Sequence, residues 1–214
     1  MPRNNHQKAS ITFQLAKPTD ANIASRLIFD SFPKMATFNF GLGDAQRAKK
    51  TFTALFPYPQ HRFSFETSTL ILKDERVIGL YIAYPGKEQF VLNWRLGKLL
   101  MKQFSLSEKT KLIQRSLPLA FIQEAAKDEF LLSNLAINKS YRGAGFGSQV
   151  LAHIEETAIQ AGYQKISLLV DIDSKEARRF YENRGFKIKA IHLESNRRVR
   201  YLGPGYFRMV KELL

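Results

Sequence analysis

The sequence predicts an α+β fold, with a mixed sheet and helices, on three observations. An apolar run at 130–137 leads through a glycine-rich turn into a helical pattern that ends near Gly162. A second apolar run at 165–170 completes a strand–helix–strand unit. The two strands of such a unit are parallel, and the connection between them is right-handed. Two alternating runs within 68–84 indicate a β-hairpin. At 214 residues the chain is long enough for a substantial core, so we expect one domain over 1–214.

Elements on both sides of the strand–helix–strand unit follow from the same patterns. Those before it are a strand at Ile11–Leu15, helices from Pro18 to Phe29 and from Asp44 to Leu55, and hairpin strands at Ser68–Leu72 and Val77–Tyr84. Those after it are a helix within 174–184 and strands at Ile188–Leu193 and Tyr206–Lys211. Residues 86–128 predict two further helices, one around Phe90 to Phe104 and one from Leu112 to Ala126 that Pro118 kinks or divides.

The turn after the first strand of the unit has the composition of a phosphate-binding loop. Strict alternation along that strand places Phe130, Leu132 and Asn134 on one face and Leu131, Ser133, Leu135 and Ile137 on the other. Gly143 and Gly145 allow positive φ and close approach of a ligand, and Gly147 allows tight packing of the first helical turn. Backbone N–H groups at such a helix start, with the Arg142 guanidinium beside them, suit a pyrophosphate.

Two other phosphate-binding loops fit less well. A dinucleotide-binding loop needs G-x-G-x-x-G, whereas Ser148 stands at the third position after Gly145. Asp171 and Asp173, at the end of the second strand, keep that alternative open. A Walker-type loop needs Gly-Lys-Ser/Thr, which is absent.

A second motif follows the loop at a characteristic distance, and together the two resemble the GCN5-related N-acetyltransferase (GNAT) superfamily. Arg142-Gly-Ala-Gly145-Phe-Gly147 matches the family's R/Q-x-x-G-x-G/A loop, and Leu135-Ala-Ile137 is similar to its L-A-V strand end. The segment 174–186 matches N-x-x-A-x-x-x-Y-x-x-x-G-F, except that Ser174 replaces the usual asparagine. The resemblance covers about 130–190. It implies a GNAT fold: an α/β/α sandwich with about seven mostly antiparallel strands and a splayed parallel central pair.

The resemblance also implies a set of site residues for acetyl-CoA, the expected cofactor, with coenzyme A as product. The residues that would bind it are Leu135, Ala136, Ile137, Arg142, Gly143, Ala144, Gly145, Phe146, Gly147, Ser148, Ser174, Ala177, Arg178 and Phe180. Loop amides would hold the pyrophosphate and the strand the pantetheine, with Ser174 the least certain match. The Tyr181 hydroxyl would donate a proton to the departing thiolate, because a thiol and a phenol have comparable pKa values of roughly 8.5 and 10.

The expected reaction is direct attack of an amine on the thioester, which needs neither a nucleophilic side chain nor a metal. A backbone N–H at the strand end would stabilise the oxyanion. Glu129 and Glu66 are candidate general bases. The acceptor is a small molecule or a peptide amine. Two alternatives stay open: an acyl-CoA-binding regulatory module with little turnover, and a protein- or RNA-modifying acetyltransferase. Residues 86–128 are expected to form a helical insertion between the third and fourth strands that shapes the acceptor pocket.

Composition excludes several other classes of protein. The chain has no cysteine, so disulfides and thiolate metal sites are ruled out, and His6, His61, His153 and His192 lack ligand spacing. The net charge of +14 attracts anions such as acetyl-CoA, but no series of base-stacking aromatics supports nucleic-acid binding. The amino terminus lacks an apolar core and no apolar run is long enough to span a membrane, which predicts a cytoplasmic location. A homodimer is compatible with the sequence.

Overall fold

In the computed structural model, residues 11–117 and 122–213 are described, and they contain a seven-stranded mixed sheet of order β1-β2-β3-β4-β5-β7-β6. The strands are β1 Thr12–Leu15, β2 Ser68–Lys73, β3 Arg76–Pro85, β4 Phe130–Ile137, β5 Lys165–Asp171, β6 Lys187–Leu193 and β7 Gly205–Glu212. Every neighbouring pair is antiparallel except β4 and β5. The strand–helix–strand unit is therefore the parallel centre of an otherwise antiparallel sheet, as predicted.

Helices connect these strands. They are α1 Ala21–Ser31, α2 Pro33–Met35, α3 Ala45–Leu55, α4 Gln89–Gln103, α5 Leu106–Ser116, α6 Phe146–Gln160, α7 Lys175–Glu182 and α8 Asn196–Leu202. A π-helix, Ala36–Phe40, follows α2 directly. Among the described residues, no helix combines the length and the apolar character that crossing a membrane requires.

Outside the insertion, the predicted strands and helices are present with ends within two residues of those expected, except that α1 starts at Ala21, after a 3₁₀ turn at Pro18–Asp20. The prediction for Leu112 to Ala126 was wrong. A helix starts earlier, at Leu106, because Ser105 and Glu108 form a capping box, and it ends at Ser116. Residues 122–126 are not helical, and Pro118 lies outside the described residues.

Helices cover both faces of the sheet, which confirms the predicted α/β/α sandwich. One core packs α1, α3, α4 and α5 against the sheet and contains Ile28, Phe52 and Leu100. The other packs α6 against the opposite face and contains Leu151 and Ile154, with residues of α7 at its margin.

The parallel strands β4 and β5 separate soon after they begin. Their pairing is confined to Phe130 with Ile166 and Leu131 with Ser167. Beyond these pairs, backbone groups on that edge of β4 face a gap instead of a neighbouring strand. This gap is the splayed pair that the resemblance implied.

A β-bulge in β4 makes the predicted alternation wrong. The register with β3 shifts by one residue between Asn134 and Leu132, so Ser133 is the extra residue. Leu132 and Leu135 consequently pack on the α6 side, although strict alternation placed them on opposite faces. Asn134 turns to the other face, where its amide nitrogen donates to Ser31 Oγ at 2.9 Å.

The insertion between β3 and β4 is held at its base and along its helices. The Gly86 N–H donates to the Glu129 carbonyl at 2.8 Å, which joins the start and end of the insertion. Arg47 of α3 pairs with Glu108 of α5 at 2.6 Å. Arg115 of α5 donates to the Phe38 carbonyl of the π-helix at 2.7 Å. The two insertion helices are thus fixed over the open side of the β4–β5 gap.

Candidate active site

The glycine loop has the predicted conformation. Gly143 and Gly145 adopt φ values of +80° and +82°, and a Cβ at either would meet no atom of the described chain within 4 Å. In the described chain, the N–H groups of residues 143–145 donate no backbone-to-backbone hydrogen bond. The N–H groups of Phe146 and Gly147, in the first turn of α6, likewise donate no backbone hydrogen bond within the described residues. The loop is therefore an exposed cluster of amide donors at the positive end of a helix dipole.

Basic groups surround the loop, although Arg142 is partly committed elsewhere. Arg142 Nε donates to the Ile137 carbonyl at 2.9 Å, which fixes the guanidinium across the base of the loop. Ser148 Oγ accepts a hydrogen bond from Arg184 of the loop after α7. Lys73 Nζ lies 5.7 Å from the centre of the Phe146 ring, beside the loop. Sequence reasoning missed Lys73, because only the fold brings the end of β2 to this place.

The β4 residues of the predicted site point to different sides of the sheet. Leu135 lies beside the β4–β5 gap, and Ile137 is half-buried on the α6 side. The Ala136 side chain is buried in the opposite core, so only its backbone is available to a ligand in the gap.

The α7 region supplies the other wall of the gap. Ser174 and Ala177 line the same cavity as Leu135. A Cβ at Gly147 would lie 3.2 Å from ring carbons of Phe180, so the glycine does allow the close helix packing predicted for it. The Arg178 guanidinium instead pairs with Glu182 at 2.8 Å and lies over the Phe207 ring, so its contact with a cofactor stays a prediction.

Tyr181 also lines the cavity, and its ring is fixed by its neighbours. Ring centres lie 5.1 Å away in Phe180 and 5.4 Å away in Phe186, both edge-on. Burial raises the pKa of Tyr181 to about 12, although the nearby Arg184 opposes the shift. The phenol therefore keeps its proton at neutral pH and is available as a hydrogen-bond donor.

A cavity of about 520 Å³ extends from the β4–β5 gap to the insertion helices. On one side it reaches Tyr181 and Ala177 of α7, and on the other the π-helix, α4 and α5. This volume is within the range of small-molecule sites. The insertion thus lines the cavity opposite α7, as expected for residues that shape an acceptor pocket.

One ion pair in the cavity wall fixes the end of the insertion to β4. Arg62 donates to both carboxylate oxygens of Glu124. Arg62 Nε also donates to the Oγ of Ser133, the bulge residue, at 3.1 Å. Both charged side chains are mostly buried, so each depends on the other for compensation.

Asp171, at the end of β5, is the unpaired acid of the cavity wall. In the described chain its carboxylate forms no ion pair or side-chain hydrogen bond. Burial raises its pKa above the usual 3.8; Lys34 opposes this shift and the neighbouring Asp173 adds to it. Sequence reasoning considered Asp171 only for a dinucleotide fold. Its position at the carboxyl end of a central strand was the available signal.

The two glutamates considered as bases do not line this cavity. The Glu129 carboxylate pairs with Arg208 of β7 and also accepts from the Ala126 N–H at 2.8 Å. Glu66 accepts from the Gln60 N–H at 2.7 Å. Both carboxylates stabilise local structure instead.

Two of the histidines have structural roles, as predicted. His61 is fully buried and lies 3.0 Å from the Leu55 carbonyl oxygen, and His153 stacks on Phe13 with ring centres 3.7 Å apart. His6 lies outside the described residues. Within 11–117 and 122–213, no three acidic or histidine side chains are grouped as a metal would require.

Comparison with known proteins agrees with this geometry. Residues 44–186 match the model of the acetyltransferase (GNAT) family. A segment of 64 residues, 30% of the chain, is 33% identical to an uncharacterized N-acetyltransferase, YycN, of Bacillus subtilis, and the match spans 41% of that relative's length.

Solved structures share the fold at low sequence identity. An N-acetyltransferase from Staphylococcus aureus Mu50 superposes with a TM-score of 0.68 at 20% identity, over 93% of this chain and 99% of the other. The PaiA N-acetyltransferase from Thermoplasma acidophilum, in complex with coenzyme A, gives 0.53 at 12% identity, over 95% and 99%. With the family model matching about two thirds of its length, the chain belongs to the acetyltransferase (GNAT) family.

Proposed function

We propose that this protein transfers an acetyl group from acetyl-CoA to the primary amine of a small-molecule acceptor. The observation that carries the proposal is the gap between β4 and β5, which opens into the cavity, together with the free amide donors of residues 143–145 in the loop between β4 and α6. The loop fits a pyrophosphate, and the unpaired edge of β4 fits the amides of an extended pantetheine. When bound, acetyl-CoA supplies the acetyl group and leaves as the free thiol.

Three groups of the protein assist the reaction: a proton acceptor, an oxyanion donor and a donor to the leaving sulfur. Asp171 accepts a proton from the incoming ammonium, which frees the nitrogen lone pair for attack. A backbone N–H on the open edge of β4, near Leu135, donates to the oxygen that becomes negative. Tyr181 donates a hydrogen bond to the sulfur as the carbon–sulfur bond breaks. The second proton that the nitrogen loses in forming the amide passes to the sulfur, so the products are the N-acetylated amine and coenzyme A.

Amine-dependent release of free thiol from acetyl-CoA tests the proposal, with the acetylated product identified by mass spectrometry. A reaction without amine corrects for hydrolysis. We expect thiol release to require both the protein and a primary amine. Tight binding of coenzyme A with no amine-dependent release across a broad panel would contradict the proposal and favour an acyl-CoA-binding regulatory module.

Replacing Asp171 with asparagine should lower kcat/KM by about 100-fold or more, because the amide keeps the shape but accepts no proton. In the wild type, the raised pKa of Asp171 means that activity falls as the pH drops through a value above 3.8. We expect this acidic limb of the pH–rate profile to disappear in Asp171→Asn. If the acidic limb of the pH–rate profile were the same in the wild type and in Asp171→Asn, the proton acceptor would be another group.

The fold of this variant should be at least as stable as the wild type at neutral pH. A carboxyl group whose pKa is raised by folding stabilises the protein below its unfolded pKa, and this stabilisation is lost as the pH rises through the folded pKa. At pH 7 the partly buried charge of Asp171 therefore lowers the stability of the fold, and asparagine removes this charge. Urea denaturation at pH 7 measures this and separates a catalytic defect from unfolding.

A further inference from the structure

Gly97 leaves an open space in the wall of the cavity. It lies in the interior of α4, a 15-residue helix, and lines the cavity next to Leu96. A Cβ at this position would meet no atom of the described chain within 4 Å. Glycine in a helix interior destabilises the helix relative to alanine. Glycine thus lowers the stability of α4 at this position. It also leaves room for a ligand beside the helix.

The surroundings of Gly97 are mainly apolar, with the polar side chain of Asn93 one helical turn away. The hydrophobic side chains that α4 and α5 contribute to the cavity are Leu96, Leu100, Met101, Leu112 and Ile113. Leu96, Leu100 and Leu112 are buried in the core beneath the insertion, so this wall is anchored. An apolar group placed here would be stabilised by the removal of its surface from water.

The cavity has few charged lining residues, and none of them belongs to α4, the helix that contains Gly97. Among its described lining residues, three carry a formal charge: Arg62, Glu124 and Asp171. Arg62 and Glu124 compensate each other, which leaves Asp171 as the one charged lining residue without an ion-pair partner; Lys34, which favours its charged form, pairs with Asp173 at 3.3 Å. The cavity is therefore net negative inside a chain of net charge +14.

This charge pattern discriminates between amines. An ammonium group near Asp171 gains a favourable electrostatic partner. A carboxylate on the acceptor would be repelled by Asp171, and Arg62 is already paired with Glu124. A second ammonium would meet mainly apolar side chains and neutral amides but no second unpaired carboxylate among the described lining residues, because Glu124 is paired with Arg62.

We propose that the acceptor is a primary amine whose only charge is at the reacting nitrogen, on a mainly apolar body that packs against α4 at Gly97. The inference rests on the proposed function and specifies its substrate class. It excludes free amino acids and polyamines as preferred acceptors. Gly97 is the residue that sets the size of the accepted body.

Matched pairs of amines test the charge requirement. Phenethylamine and phenylalanine differ by a carboxylate, and hexylamine and hexamethylenediamine differ by a second amine. We expect kcat/KM to be at least about 10-fold higher for the first member of each pair, since the extra charge of the second member would be buried without a compensating partner. Equal or better turnover of phenylalanine or hexamethylenediamine would overturn the inference and leave the proposed function intact.

Substitution of Gly97 tests the location. Gly97→Phe should raise the KM for phenethylamine about 10-fold or more by filling the open space, with a smaller effect on ethylamine. Gly97→Ala should have a smaller effect than Gly97→Phe on both amines. Lys98→Phe places the same ring on the exposed side of α4 and is the matched control. A loss of similar size for phenethylamine and ethylamine, or in Lys98→Phe, would contradict the assignment.

Binding measurements separate the two proposals if no amine is acetylated. Saturation-transfer NMR would detect phenethylamine on the complex with coenzyme A. Binding to the wild type that Gly97→Phe abolishes would support the inference although the proposed function had failed. No binding of phenethylamine to the wild type would overturn the inference as well.

Discussion

Replacing Tyr181 with phenylalanine should lower kcat by about 100-fold or more, with little change in the affinity for coenzyme A. The hydroxyl is the group that the substitution removes, and its proposed role is to donate to the sulfur during bond cleavage; loss of one such donor typically costs 10²–10³ in kcat. The ring itself packs edge-on against Phe180 and Phe186, and phenylalanine keeps those contacts. The variant should therefore fold and bind normally.

The pKa of Tyr181 refines how this group acts. At about 12 it is well above the ~8.5 of a thiol, so complete proton transfer to the sulfur is less favourable than the comparable values used in the sequence argument implied. A hydrogen bond that strengthens as charge develops on sulfur is sufficient. We accordingly expect no loss of kcat from ionisation of Tyr181 below about pH 11.

Steady-state kinetics measures kcat, and calorimetry with coenzyme A measures the affinity for the cofactor product separately. Tyr163→Phe is the matched control, because Tyr163 packs on Phe130, at the start of β4, and does not line the cavity. A Tyr181→Phe protein with weaker coenzyme A binding and unchanged kcat would mean that the hydroxyl binds the cofactor instead of assisting departure of the thiol.

The loop and the strand–helix–strand unit that contains it were predictable because their signals are local. Positive φ at Gly143 and Gly145 follows from glycine's lack of a Cβ, and a helix pattern starts directly after them. Gly147 and Phe180 are distant in sequence, yet the resemblance placed both beside the cofactor and they do pack together. Where residue type alone restricts the backbone, the sequence is informative.

The acceptor side was not predictable in the same way. The bulge at Ser133 has no residue-type signal, since it depends on how β3 and β4 pair. Arg62 and Glu124 meet across 62 positions through the fold of the insertion, and Glu124 follows a helix whose end was misplaced. The predicted bases were chosen for closeness in sequence to a strand. Asp171 faces the cavity because β5 diverges from β4, which is a property of the sheet.

Introducing a charge at Gly145 should abolish measurable binding of coenzyme A. In Gly145→Glu the carboxylate would project from the loop beside the free N–H donors, where the proposed pyrophosphate would bind, and two anions would compete for the same donors. The φ of +82° adds about 1 kcal/mol of backbone strain, which a whole domain tolerates. Circular dichroism should therefore be unchanged while calorimetry shows no binding.

The other end of the same helix offers a matched control. Gly162 has a φ of +83°, and a Cβ there would also meet no atom of the described chain within 4 Å. Gly162→Glu thus introduces the same side chain with the same strain after the carboxyl end of α6, far from the loop. We expect it to bind coenzyme A like the wild type. Equal losses in both variants would attribute the effect to strain or net charge, and wild-type affinity in Gly145→Glu would place the phosphates outside the loop.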